Sequence, residues 1–135
     1  MITELFAPYT FLQIVVSLFL AILFLQSGFD KVFDWKGNLS WLKSHFAKSL
    51  LKDVVPFLLA TITLFEVASG ITSAIGAVSI VWNKQTNIAL IGAQLSATSI
   101  LMLFFGQRMA KDYAGAATLV PYFILTLIAI WLLGK

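Results

Sequence analysis

Cysteine is absent from the chain. Disulfides, thiol redox chemistry, iron–sulfur clusters and cysteine-type zinc sites are excluded together. Only one histidine, His45, is present. A haem held by two histidines of one chain is therefore excluded as well. Charge is also scarce, at 11% of residues against 60% hydrophobic. No nucleophile constellation, phosphate-binding loop or metal-ligand spacing occurs, so no catalytic residue, intrinsic cofactor or metal is expected. The net charge of +3 is better explained by loop placement than by nucleic-acid binding.

What remains is apolar surface. The chain has 135 residues and a mean hydropathy of +0.95. A soluble domain this short leaves much of its surface in water and cannot hide so many apolar groups. The composition predicts an all-α polytopic membrane protein with membrane lipid as its first partner. No repeat, low-complexity segment or boundary breaks it, so residues 1–135 read as one domain. Met1–Thr10 carries Glu4 and no Lys or Arg, which does not fit a cleavable signal peptide.

Four spans can be drawn. Residues 11–29 form 19 positions without a charge, enough to cross about 30 Å of hydrocarbon at about 1.5 Å per residue. Gln13, Ser17 and Gln26 are the polar exceptions and are expected to face neighbouring helices. The second span covers 54–82, with Pro56 suited to its first turn. The third covers 88–105 and the fourth 114–133, where Pro121 should kink the helix or end its first segment. Gly28, Gly70 and Gly76 are candidates for close helix packing.

Between the first two spans lies the longest polar segment, 30–53. Leu39, Leu42, Phe46 and Leu50 recur there at helical spacing, with Lys43, Lys48 and Lys52 largely off that face. This predicts an amphipathic helix between helices 1 and 2, capped by Asn38 or Ser40. It would either lie at the membrane interface, with Trp35 and Trp41 at headgroup level, or pack as an ordinary connector. His45 reads as a solvated loop residue.

Four spans put both termini on one side with the 83–87 turn. Of the nine basic residues, Lys84 and Lys135 lie there, and the other seven lie at the two polar loops opposite. The positive-inside rule then places the two polar loops in the cytoplasm and both termini outside. Tyr9, Trp82 and Trp131 mark one interface; Trp35, Trp41 and Tyr113 mark the other.

Glu66 stands out, because a charge at mid-bilayer costs about 2.5–3.5 kcal/mol even on insertion scales. It must be protonated, paired or facing a wet cavity. Counting from the span ends puts Lys31 two or more turns away in depth, so Gln94 is expected as the direct neighbour, with Gln26 between the two levels. Glu66 then serves either as a proton-accepting or ligand-binding carboxyl or as a structural hydrogen-bonding group. A second constellation, Asp30, Lys31, Asp34, Arg108, Lys111 and Asp112, could form an ionic cluster at the basic-side mouth, holding a quinone, a lipid headgroup or a partner. The alternative is that these charges cap helix ends and reach for water.

Ser27-Gly28, Lys31 and Asp34 resemble the SGxxKxxD signature that ends the first helix of DoxX-like membrane proteins. Glu66, Gly70 and Gly76 resemble that family's second-helix pattern, and residues 106–116 look like one of its branches. The family's KN-type motif at the last helix is not present. The resemblance implies a four-helix bundle. It also implies a small, non-catalytic integral subunit of a respiratory or quinone-linked complex, with a bound quinone or lipid and larger redox subunits or self-association. Thiol–quinone chemistry found in related bundles is excluded by the missing cysteines. Two other functions stay open: a proton-coupled carrier or binding protein centred on Glu66, and an assembly factor docking through the amphipathic loop.

Overall fold

The computed structural model describes residues 2–135 and is all-α, with no strand among the described residues. After a single turn, α1 (Ile2–Leu5), come α2 (Pro8–Phe33), α3 (Trp35–His45), α4 (Val55–Asn83), α5 (Asn87–Met109), α6 (Tyr113–Thr118) and α7 (Val120–Leu133). Four helical stretches are long and apolar enough to cross a membrane: α2, α4 with its preceding 3-10 turn, α5, and α6–α7 together. Each spanning stretch outruns the apolar run that predicts it, because helical hydrogen bonding continues into the polar flanks.

Prolines mark three of the helix starts. Pro8, Pro56 and Pro121 all occupy the first turn, where a missing N–H leaves nothing unsatisfied. Pro121 also divides the last stretch, since α6 ends at Thr118 and α7 begins at Val120.

Sequential packing orders the bundle as α2, α4, α5, α7, with α7 returning to α2. Leu20, Phe24, Ile80, Ala93, Ala129 and Leu133 form its centre. The outside stays apolar, with Phe57, Leu64, Ile22 and Val78 each about two-thirds exposed or more. Near the first turns of α2, the Tyr9 hydroxyl and the Gln13 amide both donate to the Leu132 carbonyl, at 2.7 and 2.9 Å.

Glycine sets how closely α2 and α4 approach. A Cβ on Gly28 would stand 2.7 Å from Val67 Cγ2, and one on Gly70 would stand 2.7 Å from the Leu25 backbone nitrogen. Gly76 similarly abuts the Ala89 backbone where α4 meets α5. The α2–α4 contacts also give the register. Residues 28 and 67, and 25 and 70, oppose one another, so Phe29 opposes Glu66. In the same register the end of α2 at Phe33 faces Ile62, so α4 starts about seven residues, roughly 10 Å, beyond α2. The space beyond the end of α2 is roofed by α3 and the loop that follows it.

Helix α3 departs from expectation in three ways. It ends at His45, so Leu50 is not on it and is 89% exposed. Its N-cap is Asp34, whose carboxylate accepts from the Gly37 N–H, rather than Asn38 or Ser40. Asn38 instead donates to the Asp34 carbonyl at 2.8 Å, at the end of α2. Leu39 and Leu42 are half-buried and Phe46 is buried. Lys36, Ser40, Lys43 and Ser44 are exposed.

Candidate functional site

Glu66 is 1% exposed, and Lys31 Nζ stands 2.8 Å from its Oε1. This overturns the expected depth relation. The register puts Glu66 level with Phe29, only two residues and about 3 Å of helix rise from Lys31. Counting from span ends fails because the two helices are staggered. Glu66 sits twelve residues into α4, and Lys31 sits in the last turn of α2.

Neither expected glutamine partner is at the site. Gln94 and Gln26 are both exposed. On α5, Gly92, Ala93 and Ser96 face inward, and on α2 Phe24 and Gly28 do. A helix turns about 100° per residue, so Gln94 and Gln26 lie some 200° from inward residues two positions away. Gln94 is off in depth as well: Gly76 meets Ala89 and Gly92 meets Ser73, which sets Glu66 level with Ser99, about five residues from Gln94.

The ammonium of Lys31 has two further contacts, donating to Ser27 Oγ at 3.0 Å and to the Ser27 carbonyl at 3.5 Å. Glu66 Oε1 makes no directed hydrogen bond, so its attraction to Lys31 is that of an ion pair at poor angle. A buried carboxylate held this way depends on its counter-charge more than on directed bonds. Farther along α4, Ser69 meets Ser99 of α5 at 3.2 Å, while the buried Ser73 hydroxyl has no partner.

Lys31 also lines a cavity of about 670 Å³ beyond the end of α2. Trp41, Leu42 and Phe46 cover it, Leu59 and Ile62 of α4 form one wall, and Met102, Phe105, Gly106 and Gln107 are among the α5 residues that form the other. Lys31 is the one charged residue among its described lining residues. Asn38, Thr61 and Gln107 supply its uncharged polar groups. The volume falls within the usual range for small-molecule sites, as does an apolar lining with a few convergent polar groups.

His45 is not a free loop residue. Its Nε2 lies 2.7 Å from Gln107 Oε1 and 3.5 Å from Asp112 Oδ2, and its ring stacks on Trp41 at 4.5 Å between centroids. The contact fastens α3, the roof of the cavity, to the α5–α6 corner. Sequence reading missed it, since the pairing joins residues 62 apart. The one available signal was that His45 and Gln107 belong to the two polar segments expected on the same side.

The six charges expected at the mouth do lie at one end of the bundle, but none pairs with another among the described residues. Lys31 goes to Glu66. Asp34 and Asp112 cap α3 and α6, and Asp112 also meets His45. Arg108 lies 4.4 Å over the Tyr113 ring. Lys111 turns the chain with a left-handed φ of 61°, and both it and Asp30 are exposed. Arg108 and Asp112 are four positions apart but do not share a helical face, because the helix stops at Met109. Among the described residues no group of His, Asp and Glu is arranged to hold a metal.

No protein-family model matches this chain, and neither a curated protein nor a solved structure gives a significant match.

Proposed function

We propose that this chain is a multi-pass membrane protein that holds a lipophilic molecule, of quinone or lipid type, in the cavity beside Lys31. It has no catalytic activity of its own and serves as an integral subunit of a larger, quinone-linked membrane assembly. The observation that carries the binding reading is the cavity itself, about 670 Å³ of mostly apolar space with one ammonium at its edge. Such a space suits a molecule with an apolar body and one polar end. The resemblance to DoxX-like proteins supports the subunit reading and a bacterial inner membrane. The seven-to-two distribution of basic residues supports termini on the outer side. Helix α3 then lies at the cytoplasmic interface, with exposed Lys36 and Lys43 toward the headgroups and Trp41 at their level.

The test is purification from native membranes in mild detergent, with mass spectrometry of co-purifying proteins and of the organic extract. A quinone or a discrete lipid at fixed stoichiometry, together with redox subunits, supports the reading. A chain that arrives alone, with an extract no different from bulk membrane, refutes it.

A second reading, a proton-coupled carrier, draws on the Lys31–Glu66 pair. Glu66→Gln should then abolish transport in a chain that still inserts, and unchanged transport would sink it.

A further inference from the structure

The cavity meets the ion pair unevenly. Lys31 is 17% exposed and lines the cavity, whereas Glu66 is 1% exposed and stands behind it. A molecule in the cavity therefore touches a cation whose charge is already balanced. Of the ammonium's three contacts, the Ser27 carbonyl at 3.5 Å is the longest and the easiest for a ligand oxygen to replace. An uncharged acceptor can do so with the ion pair intact. An anion cannot enter as simply. It would leave two negative groups repelling each other beside one cation, in a space whose other polar lining, among the described residues, is only Asn38, Thr61 and Gln107.

We propose that the Lys31–Glu66 pair makes this cavity a charge filter: it takes an uncharged lipophile bearing an acceptor oxygen, and an anionic head group enters only with one proton. The proposal rests on the cavity being a binding site. The step balances in atoms and charge. A hydronium or protonated buffer in bulk solvent gives up its proton and its conjugate base stays there, an O–H bond forms on Glu66, and the anion's oxygen takes the carboxylate's place beside Lys31 Nζ. The local charge stays at zero.

Other titratable groups near the site are few. On α2, Asp30 is exposed, and α3 turns Lys36 and Lys43 outward. The facing stretch of α5, residues 87–105, contains no ionisable side chain, and α7 contributes only the exposed Tyr122. His45 reaches the rim through Gln107, which makes it the competing proton acceptor.

The experiment uses the full chain in nanodiscs, with Trp35, Trp82 and Trp131 changed to Phe so that only Trp41, on the cavity wall, fluoresces. The probes are a long-chain ketone and an alkyl sulfonate with the same dibrominated chain. The sulfonate stays ionised throughout, so any proton taken up goes to the protein. Both probes should quench Trp41. Ketone affinity should be flat with pH, while sulfonate affinity falls up to about tenfold per unit as pH rises, the signature of one coupled proton. Calorimetry in buffers of different ionisation enthalpy should count one proton per sulfonate and none per ketone. In Glu66→Gln the slope should vanish and the sulfonate should bind more tightly than in the unaltered chain.

Quenching by both probes with no pH slope would overturn the filter and leave the cavity reading standing. Quenching by neither would remove both. Loss of the proton count in His45→Gln, rather than in Glu66→Gln, would overturn the assignment to Glu66. If Glu66→Gln fails to fold, the proton count in the unaltered chain still decides the coupling.

Discussion

The contact between α2 and α4 should be intolerant of a single methyl group. In Gly70→Ala the new Cβ would stand 2.7 Å from the Leu25 backbone nitrogen, where ordinary contact is 3.4–4 Å. The obstacle is backbone, so the helices must part by about 1 Å. Overpacking of this kind costs about 1–3 kcal/mol. The same movement stretches the nearby Lys31–Glu66 pair from its 2.8 Å separation. At an effective dielectric of about 20, Coulomb attraction falls from about 6 to about 4.5 kcal/mol on that extra ångström. Replacing glycine by alanine in a helix returns about 1 kcal/mol. The net expectation is a loss of about 1.5–3.5 kcal/mol. Gly106→Ala is the contrast. Its Cβ meets nothing closer than Phe46 Cζ at 3.5 Å, so the helix term alone applies and the variant should gain about 0.5–1 kcal/mol. Denaturant titration in micelles, followed by far-ultraviolet circular dichroism, measures both. A Gly70→Ala protein as stable as the unaltered chain would refute the close-approach argument.

Removing the His45 ring should release α3 from the α5–α6 corner, at a cost of about 1–3 kcal/mol for the lost polar contacts. Hydrogen exchange over residues 35–45 in His45→Ala should rise while the centre of α4 stays protected, and uniform protection would count against the latch. Glu4 lies beside Lys84, whose hydrogen bond and charge hold its carboxyl below its ordinary value of 4.5. The contact is therefore present above that range and is lost as pH falls through the lowered value. A carbon-13 titration of Glu4 should show a depressed midpoint that returns to the ordinary range in Lys84→Gln; identical midpoints would remove the pairing. Single cysteines at the exposed positions Ser44 and Gln85 should react with membrane-impermeant maleimide from opposite sides, Ser44 from the cytoplasm. Labelling of both from one side would break the four-span topology.

Much of the architecture was legible in local patterns. The long apolar runs marked four helices, and Pro56 and Pro121 marked the start of α4 and the break before α7. Gly28, Gly70 and Gly76 fall where backbones meet. The site was only partly legible. Glu66 was conspicuous as a lone acid in an apolar run, yet its partner was misjudged because depth was counted from span ends. Gln94 and Gln26 face outward, and Glu66 lies level with Phe29 and Ser99 rather than with either of them. The mouth charges share one end but mostly cap helices or meet water.

The sequence by itself therefore determined the all-α class, the number of long apolar helices, their approximate limits and the exclusion of cysteine chemistry. These follow from composition and from periodicities within one helix, where the 3.6-residue turn relates near neighbours directly. Only the tertiary structure decided that Lys31 pairs with Glu66, that His45 binds Gln107 and Asp112, and that α3 roofs a cavity. Those relations depend on the axial stagger of α2 against α4 and on the rotation of each helix about its axis. Both are set by contacts between residues tens of positions apart, such as Gly70 against Leu25, and a local spacing carries no record of them.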